Sequence, residues 1–588
     1  MISFSSGLLV FVSVLTVVFL VALLFNRRLK GVGWRPKAGI VNYALLGVCG
    51  LMILLMVFQY FWSTSVLYFL LYPITVFLLL IAIVYASASK RFYLLILVVL
   101  LHLIVLSIWF PPSGISLNER TSAIMMLDEA KTWNPNWNLL NPYYNPFPLD
   151  IGLSLVFSKI TSIMYTDALG GWIVALFFVI AYDLILFSFV KDVSGRWKVG
   201  VLSVLLLMFT PPLALNPQPE LLAYFLILVF LFGLFKALKG SPSFSTVILI
   251  ILSYAVAISI HAVAAIGAVV VSILLLLMLF GRRLGLNIAT TARHRYFVCL
   301  VTISVYVLTL WRWVVLGGIN VIMAPLTALV NSILNRGTVS TFSQYVPLYN
   351  QFVSPIGAYA WSVPISLAFA FLLYHVVNRA ERKSLNVVFL LSLSLAGGAL
   401  AFGGFLGSML TVSSGLQRYL GYVGLSLLIP VAAVACAKIL RSSSWKILSL
   451  CLILIVLFSA IGICDPALSP QLYPGIKSVS ATNSADLIEG HTLYSILSGE
   501  KSVVSTYEIL TAISYLEIIP EPVNKTINSY AGSLKTHRLM IENLTVYKEA
   551  QSNIVYIWTP EILQAANDTL LNVVYNSGRY VAVESGSP

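Results

Sequence analysis

Apolar residues come in long unbroken runs along this chain, and short polar or basic turns separate them. A hydrocarbon layer about 30 Å thick takes roughly 20 apolar residues in one helix. By that length rule the runs predict spans at 7–25, 39–61, 65–85, 92–110, 171–190, 199–215, 220–235, 244–261, 264–281, 296–315, 356–376, 385–405, 420–437 and 446–463. The weakest divisions are at Pro211 to Pro219 and at His261, where a turn residue interrupts an otherwise continuous apolar stretch. Two longer polar stretches, 111–170 and 316–355, break the rhythm, and beyond residue 464 it stops. The fold class expected is a polytopic α-helical membrane protein of about 14 spans.

Charge orients this map. Of 35 Lys and Arg, 22 fall in seven groups on alternate turns: Arg27 to Lys37, Lys90/Arg91, Lys191 to Lys198, Lys236/Lys239, Arg282 to Arg295, Arg379 to Lys383 and Lys438 to Lys446. Only Asp192 and Glu381 among the acids share those turns, whereas Glu119, Asp128, Glu129, Asp150, Asp167 and Glu220 lie on the opposite side. Basic residues concentrate on the cytoplasmic side of membrane proteins, so the N-terminus and both long loops are expected outside. Met1 to Phe25 has its charges after the apolar run, at Arg27, Arg28 and Lys30. A secretory signal has the reverse order, so this reads as a retained first span. The net charge of +14 arises from these scattered turns, which excludes a nucleic-acid surface. With 59% hydrophobic and 10% charged residues and a mean hydropathy of +0.95, the composition departs from that of soluble domains, which are about one quarter charged.

The tail, 465–588, is polar enough for a small soluble domain on the extracytoplasmic side. "SNIVYIW" reads as a strand, "NVVYNSGRYVAVE" as two strands around a turn, and "TYEILTAISYL" as a helix, so an α/β domain is expected. Its three sequons, at Asn524, Asn543 and Asn567, agree with an external position. The cysteines, Cys49, Cys299, Cys436, Cys451 and Cys464, lie in or beside apolar runs and form no disulfide or metal-binding pattern. Phosphate-cradling glycine loops, HExxH and nucleophile-elbow motifs are all absent. The short cytoplasmic turns leave no room for an internal catalytic domain.

The loop 111–170 carries most of the candidate chemistry. Ser116 with Glu119 three residues on has the form of a capping box. Ile124, Met125, Leu127, Ala130 and Trp133 then follow at the spacing of an amphipathic helix lying at an interface. Pro135 ends it, the Asn- and Pro-rich segment to Pro148 is irregular, and "LDIGLSLVFSKITSIMY" begins a second amphipathic helix. Carboxylates at such a surface can take a proton from an attacking hydroxyl or hold a divalent cation. Asp128 and Glu129 are adjacent, hence about 100° apart on a helix, and cannot act as a symmetric pair. Each acid also has a plain structural role: Glu119 as a cap, Asp128 and Glu129 as a solvated face.

The order of these features resembles the C-type superfamily of membrane glycosyltransferases, which use polyprenyl-phosphate sugars. The resemblance rests on the span ending at Phe110, the acids Glu119 or Asp128-Glu129-Ala130, "NPFPL", "DIGLSLVFSKI", the span 171–190 and the basic turn "KDVSGRWK". "FTPPLALNPQPELLAYF" resembles the family's proline-rich outer turn, and "SSGLQRYLGYVG" its late Arg-Tyr. Asp-Glu-Ala followed by Pro148-Leu149 is similar to aminoarabinose and protein mannosyltransferases. "NPNW" after a helix led by Glu119 is similar to oligosaccharyltransferases, whose Trp-Trp-Asp-Tyr-Gly motif this chain lacks. The two alignments nominate different acids. The match covers 92–588 by order of features, with 1–91 as additional N-terminal spans, 92–464 as the transmembrane core and 465–588 as the external domain.

The resemblance implies a glycosyltransferase that moves a sugar from a lipid-linked donor to a glycan, lipid or protein acceptor. An external carboxylate among Glu119, Asp128 and Glu129 would be the general base. Some relatives use a divalent cation, Mg or Mn, and the ligands here are unassigned. The donor phosphate needs a cation, ideally the forked guanidinium of Arg. The external cations are few, and Arg312, Arg336 and Arg418 are the candidates. Arg312 in "LWRWV" has an alternative role, snorkelling between aromatic anchors. His261, Glu220 and Asp150 are candidates for the cavity wall. His102 and Asp183 lie mid-span, and Asp183 is expected to pair inside the bundle. The rival readings are a lipid-linked-glycan transporter or flippase, a surface-glycan polymerase or ligase, and an inactive scaffold.

Overall fold

The computed structural model describes residues 2–25, 38–61, 66–109, 149, 152, 153, 156, 160, 168–208, 219–240, 243–281, 292–315, 358–378, 384–411, 421–440, 454–456, 502–505, 554–558, 571–576 and 581–585. Helices cover nearly all of the long apolar runs among them. They are α1 Ile2–Phe25, α2 Ala38–Phe61, α3 Val66–Tyr85, α4 Arg91–Trp109, α5 Ala168–Ser194, α6 Trp197–Leu207 and α7 Pro219–Lys239. Then come α8 Phe244–Ile260, α9 Ile266–Phe280, α10 Ala292–Leu310, α11 Ala358–Val377, α12 Leu385–Thr411 and α13 Tyr422–Ile439. Five stretches among the described residues are long and apolar enough to cross a membrane: Gly39–Val57, Ala88–Val105, Leu222–Lys239, Ala292–Val315 and Leu385–Gly404. Shorter apolar helices pack beside them, and the chain is a helical membrane protein. Of the expected span 446–463 only residues 454–456 are described, and they are helical. The described positions of the expected second amphipathic helix, Leu149, Gly152, Leu153, Val156 and Ile160, are helical too.

The centre of the bundle is α6. Its residues from Val199 to Leu207 are buried all round, the state of a helix with no polar face. It folds back on α5 through a tight turn. Gly195 takes φ +70°, and the Arg196 N–H bonds the Lys191 carbonyl at 3.1 Å. That six-residue closure with a left-handed glycine is a Schellman cap. The two helices then touch backbone to backbone: a Cβ on Gly200 would sit 2.7 Å from the Phe187 carbonyl oxygen. A second close crossing joins α12 and α13, where a Cβ on Gly424 would lie 2.5 Å from the Gly397 carbonyl and 2.3 Å from the Ala401 nitrogen. In lipid such small-residue crossings replace the hydrophobic drive that water supplies to soluble helices.

Polar groups on the helices are satisfied locally or across helix ends. Thr16, Thr75, Ser203 and Ser272 donate to carbonyls three or four residues back, at 2.6–2.7 Å. The turn between α5 and α6 is a hub for one face of the bundle. Lys198 donates to the Val84 carbonyl at the end of α3, at 2.6 Å. Asn386 at the start of α12 donates to the Val193 carbonyl at 2.7 Å, and Asp192 pairs with Lys236 of α7. His294 of α10 lies 3.2 Å from the Gly240 carbonyl, just past α7. The basic turns around 191–198, 236–240 and 293–295 therefore share a face.

In the C-terminal tail, strands β1 Ser502–Ser505, β2 Ile554–Trp558, β3 Leu571–Asn576 and β4 Val581–Ser585 form one sheet in the order β1-β2-β4-β3. β1 and β2 are parallel, and the other neighbours are antiparallel, with a bulge between Val573 and Tyr575. The strands expected from "SNIVYIW" and "NVVYNSGRYVAVE" lie there. The expected helix "TYEILTAISYL" lies outside the described residues.

Candidate functional site

Two helices that run the same way build the end of the bundle opposite the hub. His294 beside Gly240 sets the start of α10 next to the start of α8. Farther along, Tyr254 of α8 and Thr309 of α10 meet through their hydroxyls at 2.7 Å. The Thr309 hydroxyl also donates to the Val305 carbonyl at 2.7 Å. A hydroxyl has one hydrogen to give, so Tyr254 is the donor to Thr309. The buried face of α10 reads Phe297, Val298, Val301, Val305 and Thr309, and continues to Arg312.

Arg312 sits in a π-helical turn, Trp311–Val315, that extends α10. Turns of this type recur at functional sites. Its side chain is only 7% exposed, while Trp311, Val314 and Val315 on the same turn face outward. The guanidinium carbon lies 6.0 Å from the centre of the Trp311 ring. Among the described residues, the Arg312 Nε and the Trp313 Nε1 are both buried without a hydrogen-bond partner. Asp183 and Asp192, the acids whose side chains are described, are engaged elsewhere, with His102 and Lys236. A buried guanidinium without a counter-charge costs several kcal/mol. The cationic donor of the two calls for an anionic acceptor.

His261 closes α8. Its backbone is extended, at φ −155° and ψ 144°, and it leads into a 3₁₀ turn, Ala262–Ala265, before α9. Its side chain is buried. Helical rise is 1.5 Å per residue, so Arg312 stands about 4.5 Å beyond Thr309 and His261 about 10.5 Å beyond Tyr254. The Tyr254–Thr309 bond thus places Arg312 between the hydroxyl pair and His261 in height. Glu220 is in the first turn of α7, which packs beside α8 and the 3₁₀ turn, at the same end of the bundle. The structure therefore gathers three of the candidate positions, Arg312, His261 and Glu220, at one end. The other candidates, Glu119, Asp128, Glu129, Asp150, Arg336 and Arg418, lie outside the described residues.

Sequence reasoning overlooked Tyr254, Thr309 and Trp313. Thr309 lies three residues before Arg312, a helical neighbour, and that spacing was the available signal. The mid-span pair is separate from this end of the bundle. His102 Nδ1 is bonded to Asp183, as the expectation of an internal partner for Asp183 requires. Among the described residues no three His, Cys, Asp or Glu side chains come together to hold a metal ion.

No family model and no curated protein matches the chain. Solved structures do. The chain is similar to the oligosaccharyltransferase of Archaeoglobus fulgidus in its apo form, at 10% identity and a TM-score of 0.44, over 73% of this chain and 65% of that one. The chain thus spans about two thirds of that enzyme's length. The same archaeal protein, AglB, is also solved with an inhibitory peptide and a dolichol-phosphate (11% identity, TM-score 0.43, 81% of this chain and 70% of that one). A further structure of it contains Zn and sulfate. ArnT from Cupriavidus metallidurans is similar at 13% identity and a TM-score of 0.35, over 84% of this chain and 98% of that one. At these values the likeness assigns no residue and no substrate.

Proposed function

We propose that this protein is a membrane glycosyltransferase that takes a sugar from a polyprenyl-phosphate donor. The reading rests on one observation, the buried Arg312 with no counter-charge among the described side chains, beside the unpartnered Trp313 Nε1. A lipid-linked phosphate supplies what that turn lacks. Its anionic oxygens accept from the guanidinium, and its apolar tail lies along the exposed apolar faces of the helices. Arg336 and Arg418 are the further cations of the same phosphate site in this reading.

The chemistry then requires a base. A carboxylate among Glu119, Asp128 and Glu129 accepts the proton of the acceptor hydroxyl. The oxygen attacks the anomeric carbon, the bond to the phosphate oxygen breaks, and the sugar transfers with inversion. The bonding pair leaves with the phosphate oxygen, so the departing polyprenyl phosphate gains a negative charge, and Arg312 stabilises it. His261, Glu220 and Asp150 belong to the cavity wall. The reaction, the N-terminus and the C-terminal domain are on the extracytoplasmic side, as the basic turns indicate. A divalent cation, Mg or Mn, would be held by the same loop acids.

The test is release of labelled sugar from a polyprenyl-phosphate sugar in purified membranes. Parent protein is compared with Arg312→Ala, Glu119→Gln, Asp128→Asn and Glu129→Gln at matched expression. Loss of release in Arg312→Ala and in one carboxylate variant, with donor binding retained in the latter, supports the reading and names the base. No release by the parent across several donors would reject it in favour of transport or a scaffold.

A further inference from the structure

Helix α10 is held in height by two hydroxyl bonds, both within two turns of Arg312. Tyr254 of α8 donates to Thr309 at 2.7 Å, and the threonine passes its own hydrogen to Val305. One turn earlier, Tyr306 of α10 meets Ser272 of α9 at 2.7 Å. Ser272 already donates to the Ala268 carbonyl at 2.7 Å, so Tyr306 is the donor there. Apolar side chains in lipid slide past one another with little change in burial, whereas a hydrogen bond is lost within a fraction of a turn. These bonds therefore fix the axial position of α10, and with it the turn that bears Arg312.

Tyr254 is the better-built of the two. It is fully buried. Its ring packs against Phe230 of α7 at 5.5 Å between centroids. Gly267 of α9 also lies close by, where a Cβ would come 3.1 Å from the Tyr254 ring. A ring packed against a phenyl group and a glycine delivers its hydroxyl to one point. Thr309, on the receiving end, is three residues from Arg312 on the same buried face.

We propose that Tyr254 is a positioning residue for the anion site: through Thr309 it sets the height at which Arg312 meets the donor phosphate. The proposal rests on the reading of Arg312 as the phosphate-holding cation. Tyr254 touches no substrate and acts only through the turn at Arg312.

The probe is a radiolabelled polyprenyl phosphate binding to the purified full-length protein in detergent, with the unphosphorylated polyprenol as control. The variants are Tyr254→Phe, Thr309→Val, Thr309→Ser, Arg312→Ala and the Tyr254→Phe/Arg312→Ala double. Tyr254→Phe leaves Thr309 bonded to Val305, so it removes one bond and no more. It should raise the Kd for polyprenyl phosphate about 3- to 10-fold, the range of one neutral hydrogen bond. Polyprenol binding should not change. Thr309→Val should match Tyr254→Phe, and Thr309→Ser should restore parental binding. In the Arg312→Ala background, Tyr254→Phe should add nothing, since the group it positions is gone. A Tyr254→Phe effect that persists in that background, or that falls equally on polyprenol, would show a general packing role and overturn the proposal. So would an unchanged Kd in Tyr254→Phe while Arg312→Ala weakens binding, and then the phosphate site itself would stand. If Arg312→Ala binds as the parent does, the phosphate site fails and the positioning role fails with it.

Discussion

Nδ1 of His102 lies 2.9 Å and 3.0 Å from the two carboxylate oxygens of Asp183, joining α4 to α5 where both side chains are sealed from solvent, at 1% and 0% exposure. The carboxylate fixes the ring so that Nδ1–H is the donor. The far ring nitrogen, Nε2, is buried without a partner among the described residues. Removing one member strands the other. His102→Leu or Asp183→Leu alone should destabilise by about 3–5 kcal/mol, while the double variant should recover part of the loss. Thermal unfolding of the four proteins in one detergent checks this, and equal, additive losses would contradict it.

The crossing of α12 and α13 tolerates no side chain. With backbone atoms of Gly397 and Ala401 at 2.5 and 2.3 Å from the Cβ position, Gly424→Val must push the helices apart. An overpacked core loses about 1–3 kcal/mol, and more where backbone is the obstacle. Gly403 faces open space, so Gly403→Ala is the control and should be neutral or slightly stabilising. Comparing folded yield by size-exclusion chromatography separates the two.

At the α5–α6 turn, Gly195 is expected to resist replacement for a different reason. Nothing lies within 4 Å of its Cβ position, yet its φ is +70°. Left-handed backbone costs a non-glycine residue about 1–2 kcal/mol. Gly195→Ala should lower the melting temperature, and Gly195→Asn should recover part of the loss because asparagine enters this region more readily. Identical melting for both variants would show that the turn is not under this constraint.

Arg312→Lys discriminates between charge and geometry at the proposed phosphate site. Lysine keeps the charge and loses the fork of donors. Donor KM should rise about 10-fold with Lys and about 10- to 100-fold with Ala, the range of hydrogen bonds to charged groups. Initial rates of sugar release against donor concentration give both values. Equal activity of the Lys variant and the parent would reduce the role of Arg312 to charge alone.

The positions of the helices were legible because a membrane helix must be long, apolar and self-bonded. The run 65–85 became Val66–Tyr85, and 356–376 became Ala358–Val377. The break at His261 was legible too, since polarity interrupts the run there. Asp183 showed that a partner was needed, because a lone carboxylate among apolar side chains is too costly. Which partner was hidden, since His102 is 81 residues away and any facing helix could have supplied it. Arg312 was visible as a costly cation, yet snorkelling and ligand binding look the same in a string of letters. The fold adds that Arg312 lies in a π-helical turn and is buried, which the letters do not show.

The sequence by itself thus determined that the chain is a membrane protein, where its helices run, which turns are basic and which residues are too polar to be idle. Those are properties of single segments against a fixed solvent, and composition suffices for them. Tertiary structure decided which helices are neighbours and at what height they meet. It paired His102 with Asp183, hung α10 from Tyr254 and Tyr306, and buried Arg312 away from the acids among the described side chains. Lipid gives apolar helix faces little preference among partners, so that choice comes from a few glycines and hydrogen bonds far apart in the chain.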